Sequence, residues 1–188
     1  MKVIGGKARG RSLLSPPGKT TRPITARVKK ALFDILGDTI PGCRFLDLFA
    51  GTGGVGIEAL SRGADRCVFV ENNHRAVATI RRNLRSTGLA DRAEVVRGDV
   101  FRYIQRPALE PFDVVYVAPP QYEGLWAETL LALDHSSLLR EDGIVVAQIY
   151  PKEYYLLELR SLKMYEQRRY GSTLLCFYSA ALPRTEPD

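Results

Sequence analysis

The run Asp47-Leu48-Phe49-Ala50-Gly51-Thr52-Gly53-Gly54-Val55-Gly56 joins one carboxylate to a loop dense in glycine. It follows the strand-like stretch Arg44 to Leu48 and leads into a helical stretch from Val55. In that setting glycines let the backbone approach a ligand at a helix N-terminus. Glu71 closes the apolar run Cys67 to Val70, where a carboxylate suits a ribose diol. Gly98-Asp99 follows a third strand-like run, Ala93 to Arg97, and offers a second acid for an adenine amino group. An adenosine-containing ligand is expected. Asp47 stands before the glycines, where it would repel a pyrophosphate and attract a cationic amino-acid moiety, which favours S-adenosylmethionine over NAD. The candidate cofactor set is Asp47, Phe49, Gly51, Gly53, Glu71, Asn72, Asp99 and Val100. Taken singly, Asp47 and Asp99 read equally well as caps of the helices that follow them. Together with Gly51, Gly53 and Glu71 at the ends of successive strands, they read as a site.

A fourth strand-like run, Asp113 to Val117, ends in Ala118-Pro119-Pro120-Gln121-Tyr122. Paired prolines stiffen the backbone, lack two N–H donors and leave carbonyls that can face an incoming amine, while Tyr122 offers a ring for stacking. Ala118, Pro119, Pro120 and Tyr122 are therefore the candidate catalytic residues for methylation of an exocyclic amine. The competing reading is a rigid strand-to-loop turn.

The elements that position these residues alternate. Strands are expected at Arg44 to Leu48, Arg66 to Val70, Ala93 to Arg97, Asp113 to Val117 and Gly143 to Ile149, with helices at Val55 to Ser61, His74 to Ser86 and Leu125 to Leu133. Such alternation implies right-handed crossovers and a parallel sheet covered on both faces. Two further strand-like runs, Lys163 to Tyr170 and Thr173 to Ser179, are separated only by Gly171-Ser172 and must form a hairpin. An α/β fold with a seven-stranded, mostly parallel sheet ending in an antiparallel hairpin is expected. Ahead of it, Thr25 caps a helix carrying Val28, Ala31, Leu32, Ile35 and Leu36 on one face, with Gly37 to end it.

The chain has 188 residues, 45% of them hydrophobic, enough for one compact core. Its net charge is +6, and the basic residues from Lys2 to Lys30 all precede the first acid, Asp34. That concentration points to a polyanionic partner, against the alternative of a solvated surface. Residues 1–24 read as a small basic hairpin or arm for RNA, 25–182 as the cofactor-binding domain, and 183–188 as a loose tail. Cys43, Cys67 and Cys176 are scattered among apolar residues, and His74 and His135 have no ligand-like neighbours. Neither a disulfide framework nor a metal site is expected. With no apolar run of membrane-spanning length and no signal peptide, a cytoplasmic monomer is expected.

The chain resembles the RsmD family, bacterial methyltransferases acting on the exocyclic N2 of a guanine in small-subunit ribosomal RNA. The resemblance rests on Ile4-Gly5-Gly6-Lys7-Ala8-Arg9-Gly10-Arg11, Arg22-Pro23-Ile24-Thr25 with Arg27-Val28, Leu46 to Gly53, Glu58-Ala59-Leu60-Ser61-Arg62-Gly63-Ala64, and Arg169 to Thr173. It implies a Rossmann-like class I methyltransferase fold, S-adenosylmethionine as methyl donor and 16S rRNA, or a small-subunit assembly intermediate, as partner. Lys7, Arg9, Arg11, Lys19 and Arg22 would then meet phosphates. The family carries Asp or Asn before Pro-Pro and an aromatic directly after it, whereas Ala118 and Gln121 stand there. Gln121, Gln148 or Glu123 are the candidates to supply the missing acceptor. Three readings follow: an active guanine-N2 methyltransferase, a homologue that binds cofactor and RNA with weak or lost catalysis, and, less favoured, a DNA adenine-N6 methyltransferase.

Overall fold

The structure, a computed structural model, describes residues 1–15, 24–107 and 110–180. Lys19, Arg22 and the expected tail lie outside the described residues.

Among the described residues twelve α-helices and β-strands follow one another: α1 (Ala26–Leu36), β1 (Arg44–Leu48), α2 (Gly54–Ser61), β2 (Arg66–Glu71), α3 (His74–Thr87), β3 (Ala93–Arg97), α4 (Val100–Ile104), β4 (Phe112–Val117), α5 (Leu125–Asp134), β5 (Leu139–Ile149), β6 (Leu162–Tyr170) and β7 (Thr173–Ala180). The strands form one seven-stranded sheet in the order β3-β2-β1-β4-β5-β7-β6. Strands β1 to β5 pair in parallel, and β7 runs antiparallel to both β5 and β6. The chain order reverses between β1 and β4, which opens a crevice at the carboxyl edge of the sheet.

Local chemistry explains the helix limits. Thr25 Oγ1 accepts from Val28 N, Val28, Leu32, Phe33 and Leu36 bury one stripe of α1, and Gly37 at φ 44° stops it. Asn73 caps α3 and Gly88 closes it at φ 71°. Because strand side chains alternate, each strand feeds two cores. Phe45 and Tyr116 belong to the core covered by α1, α2 and α3, with Leu32, Leu60 and Ile80. Leu46, Val115 and Val145 belong to the core covered by α4 and α5, with Ile104, Trp126 and Leu130.

Most boundaries fall within a residue of expectation, and β5 and α4 depart further. Strand β5 begins at Leu139 rather than Gly143, where Leu139 pairs with Phe112 before a register shift at Phe112/Val114. The polar run Arg140-Glu141-Asp142 hides that pairing from any hydrophobic pattern. Helix α4, of five residues, is too short for a periodic signal.

Residues 1–15 fold back on themselves and onto the first core. Val3 N donates to Arg11 O and Leu13 N to Met1 O, with a bridge between Lys2 and Ser12. Val3, Ala8 and Leu13 are buried with α1 and α2. The Glu58 carboxylate on α2 accepts from Ile4 N at 2.9 Å and Gly5 N at 2.7 Å, and faces Lys29 Nζ at 3.1 Å, both side chains being fully buried. Lys29 in turn donates to Lys2 O at 2.8 Å. Burial pulls the Lys29 ammonium below its usual range while Glu58 pulls it back. Gly6, at φ +74°, lies so close to the Ser61 carbonyl that a Cβ would overlap it.

Candidate active site

At the carboxyl edge, Asp47 is 1% exposed near the end of β1. Its Oδ2 accepts from Gly56 N at 2.9 Å, so the carboxyl folds over the first turn of α2. Burial pushes its pKa up to about 8, the Gly56 N–H pulls it down and the Glu71 charge adds to the rise. A carboxyl held there is poised for ionisation by an adjacent cation.

The loop after β1 is shaped by backbone that L-residues rarely adopt. Phe49, Gly51 and Gly53 all have positive φ. Gly53 caps α2 without a side chain, so Asp47 is the acceptor for its first turn while the Met1 side chain lies against Gly54, and a Cβ on Gly56 would strike Phe69 and Cys67. Glu71 braces this loop: Oε2 accepts from Gly51 N at 2.8 Å and Oε1 from Asn73 N at 2.9 Å. Asn72 is exposed beside it. Across the β2–β3 edge, Gly98 N donates to Glu71 O, and Asp99 Oδ1 caps α4 by accepting from Arg102 N at 2.9 Å. Asp99 thus performs the capping role, with its side chain still exposed at the edge. Val100 is buried in the second core, and Phe49 packs against the same core.

Asn83 is a brace that the sequence reading passed over. Fully buried in the inner stripe of α3, it accepts from Leu14 N at 2.8 Å and donates to Leu14 O at 3.1 Å and Thr52 O at 3.0 Å. The signal was available: an amide at a position where the helical period demands an apolar side chain.

The ends of β4 and β5 make the other half. Ala118 and Pro119 are half-buried, while Pro120, Gln121 and Tyr122 are exposed. Tyr122 adopts φ 65°, is 71% exposed, donates its backbone N–H to Glu153 Oε1 at 2.6 Å and lies against the Tyr150 ring at 5.3 Å. Such strained backbone on a non-glycine residue clusters at functional sites.

A pocket opens past the ends of β4 and β5 among Thr25, Val28, Gln121, Gln148, Tyr170 and Thr173, and Ala118, Pro119 and Pro120 do not line it. Tyr122 stands outside this lining. Inside it, Gln148 Oε1 accepts from the buried Tyr116 hydroxyl at 2.6 Å. Burial first, then the Asp47 charge, raises the Tyr116 phenol well above its usual range, so it stays a donor. Asp47 and Tyr116 are register partners, so a polar row crosses the sheet from Asp47 through Tyr116 to Gln148. Glu123 is exposed on the loop.

Lys7, Arg9 and Arg11 are exposed on the N-terminal hairpin. Among the described residues there is no group of His, Cys, Asp and Glu that could hold a metal ion. Burial raises the thiols of Cys43, to about 12, and Cys67. No helix among the described residues is long and apolar enough to cross a membrane.

Comparison with known proteins bears on this geometry. The family model of conserved hypothetical protein 95 matches residues 1–179. The Bacillus subtilis protein YlbH is 39% identical over 181 residues, covering 95% of this chain and 98% of that one. Ribosomal RNA small subunit methyltransferase D of Escherichia coli K12 is 33% identical over 148 residues, 79% of this chain and 74% of that one. The solved structure of Escherichia coli yhhF superposes with a TM-score of 0.86 at 28% identity, covering 96% of this chain and 97% of that one.

Proposed function

Since this chain belongs to the conserved hypothetical protein 95 family, the RsmD family, we propose that it is an S-adenosylmethionine-dependent rRNA methyltransferase acting on the exocyclic N2 of a guanine in the small ribosomal subunit. One observation carries the reading: a braced glycine loop with a buried carboxyl opens on the same sheet edge as a polar pocket, one strand away.

The residues fit the donor. Asp47, raised to about 8, meets the cationic amino-acid end and gives up its proton there. The N–H groups of the glycine loop that leads into α2 receive the carboxylate, and Glu71, with its oxygens already on Gly51 N and Asn73 N, faces the ribose from a fixed position. When bound, S-adenosylmethionine would supply a sulfonium methyl to a nitrogen lone pair attacking in line, the N–C bond forming as the S–C bond breaks and the neutral thioether leaving. The chain's own part is orientation. The carbonyls of the Ala118-Pro119 turn accept from the guanine amine, and the proton released after transfer leaves to solvent. The pocket of Gln121, Gln148 and Tyr170 holds the rest of the base, flipped out of the RNA, with Tyr122 on Tyr150 as a stacking surface at its mouth. Lys7, Arg9, Arg11, Lys19 and Arg22 meet phosphates.

A second reading has a specific basis. The Ala118 side chain brings no acceptor, and Gln148 Oε1 is engaged by Tyr116, so backbone carbonyls alone hold the amine and the grip on it is weakened. This is the homologue that binds cofactor and rRNA and transfers slowly.

Labelled S-adenosylmethionine with undermethylated small subunits, naked rRNA and duplex DNA separates the readings. Label on the small subunits or rRNA supports the first. Cofactor binding without label on any acceptor supports the second, and label on DNA alone overturns both.

A further inference from the structure

We infer that the outward face of α3 is a second RNA-docking surface, continuous with the basic N-terminal hairpin; this rests on the rRNA reading above. Arg75, Arg81, Arg82 and Arg85 are all exposed. At 100° per residue they fall within an arc of about 120° on the side opposite the buried Ala76, Val77, Ile80, Asn83 and Leu84, along about 15 Å of helix.

A solvated charged face is the ordinary explanation for arginines on a helix, and two features count against it. Helix α3 contains no acid, whereas α1 pairs Lys30 with Asp34 at 2.6 Å, α2 carries Glu58, and α5 carries Glu128 and Asp134. Among the described residues none of the four arginines reaches a carboxylate within 4.0 Å, although Arg44, Arg66, Arg140 and Arg168 elsewhere do. Arg81 and Arg85 are i,i+4 neighbours and Arg82 and Arg85 i,i+3 neighbours, spacings at which like charges destabilise a helix. Arg75 adds to this by sitting in the first turn, where the helix dipole disfavours a cation. The repulsion is relieved when phosphates supply the counter-charge.

Continuity with the hairpin comes from Asn83. Lying between Arg82 and Arg85 in sequence, it bonds Leu14 through both its oxygen and its nitrogen, which ties the hairpin's outgoing strand to α3. Arg11, exposed, lies three residues back along that strand. The bond is made from the buried stripe of α3, so it holds the hairpin against the helix that carries the arginines, and two exposed basic elements of fixed relative position offer the charge that an RNA backbone recognises.

The test is the salt dependence of binding to undermethylated small-subunit rRNA, comparing wild type with a variant carrying Arg75→Gln, Arg81→Gln, Arg82→Gln and Arg85→Gln. A control carries Arg66→Gln, Arg140→Gln and Arg168→Gln, three arginines already paired with acids. Expected is a slope of log affinity on log salt shallower by about two to four for the α3 variant, with affinity near 0.1 M salt down about tenfold or more. Cofactor affinity should hold and the thermal midpoint should stay level or rise as the repulsion is removed, showing that the variant is folded. The control should shift the slope by less than about one unit. An α3 variant that binds rRNA with the wild-type slope overturns the surface and leaves the rRNA reading standing. So does wild-type RNA affinity with lost binding to phosphatidylserine vesicles, which assigns the face to a membrane. A wild type that neither binds nor methylates rRNA overturns the underlying reading, and the surface with it.

Discussion

The ends of β1, β2 and β3 and the ends of β4 and β5 lie side by side on one sheet edge, yet they commit their polar groups differently. On the first side nearly every group is locked: Glu71 holds two backbone N–H groups, Asp47 holds one, Asn83 ties Thr52 in place, and Asp99 caps its helix. On the second side the groups are loosely held, with Pro120, Gln121 and Tyr122 exposed beside the part-buried Tyr116–Gln148 bond. A rigid half suits a constant ligand, whereas the open half must admit and release a base of a large RNA. The contrast teaches that donor binding and acceptor handling are separable here, and substitutions can test that separation.

The largest effect is expected at Asp47. Asp47→Asn keeps an acceptor for Gly56 N but removes the charge, and calorimetry should show S-adenosylmethionine binding weaker by about a hundredfold. The same variant should melt higher. The folded protein retains on Asp47 a proton that the unfolded chain releases near pH 4, so its contribution to stability falls from there up to about 8 and is flat above. The gap in melting temperature between variant and wild type should widen between pH 4 and 8. A gap independent of pH would show that the buried carboxyl is ionised without cofactor.

Next comes Ala118→Asp, which supplies a charged acceptor to the open half. Single-turnover methyl transfer should rise by about ten- to a hundredfold, with cofactor affinity within about twofold of wild type. An unchanged rate would mean that position 118 does not meet the amine, and a large change in cofactor affinity would break the separation of the halves.

Gln148→Leu is a smaller step. It leaves the Tyr116 hydroxyl buried without its partner, at a cost of about 1–3 kcal/mol in chemical denaturation, and should raise KM for rRNA several-fold while cofactor binding holds. The smallest functional effect is expected for Asn83→Ala: a loss of about threefold in cofactor affinity through a slackened Thr52, with about 1–3 kcal/mol lost in stability. No change in cofactor affinity would confine Asn83 to holding the hairpin.

Legibility followed sequence distance. Asp47 and Gly56 are nine residues apart and Glu71 and Gly51 twenty, and a strand-loop-helix pattern is enough to bring such residues together on paper. The alternation of apolar runs was likewise enough for the seven strands and the closing hairpin. What stayed hidden rests on pairs with no local trace. Asn83 meets Leu14 across 69 positions, Glu58 meets Lys29, and Tyr116 meets Gln148 across 32. Each rests on a polar side chain set among apolar neighbours, and nothing in the local pattern names its distant partner. The proline turn was visible as a motif, but its strained Tyr122 and the pocket beside it depend on packing among β4, β5 and the β6–β7 turn.

The N-terminal hairpin carries a consequence for synthesis. Its anchors on Glu58, Ser61 and Asn83 emerge 53 to 69 residues after it, so at about 5–20 residues per second it waits several seconds for anything to fold against. A segment with that wait must not aggregate, and glycine and like charge are what keep it in solution. Once docked, it closes contacts of long sequence range, the kind that slow a folding reaction and then hold its product.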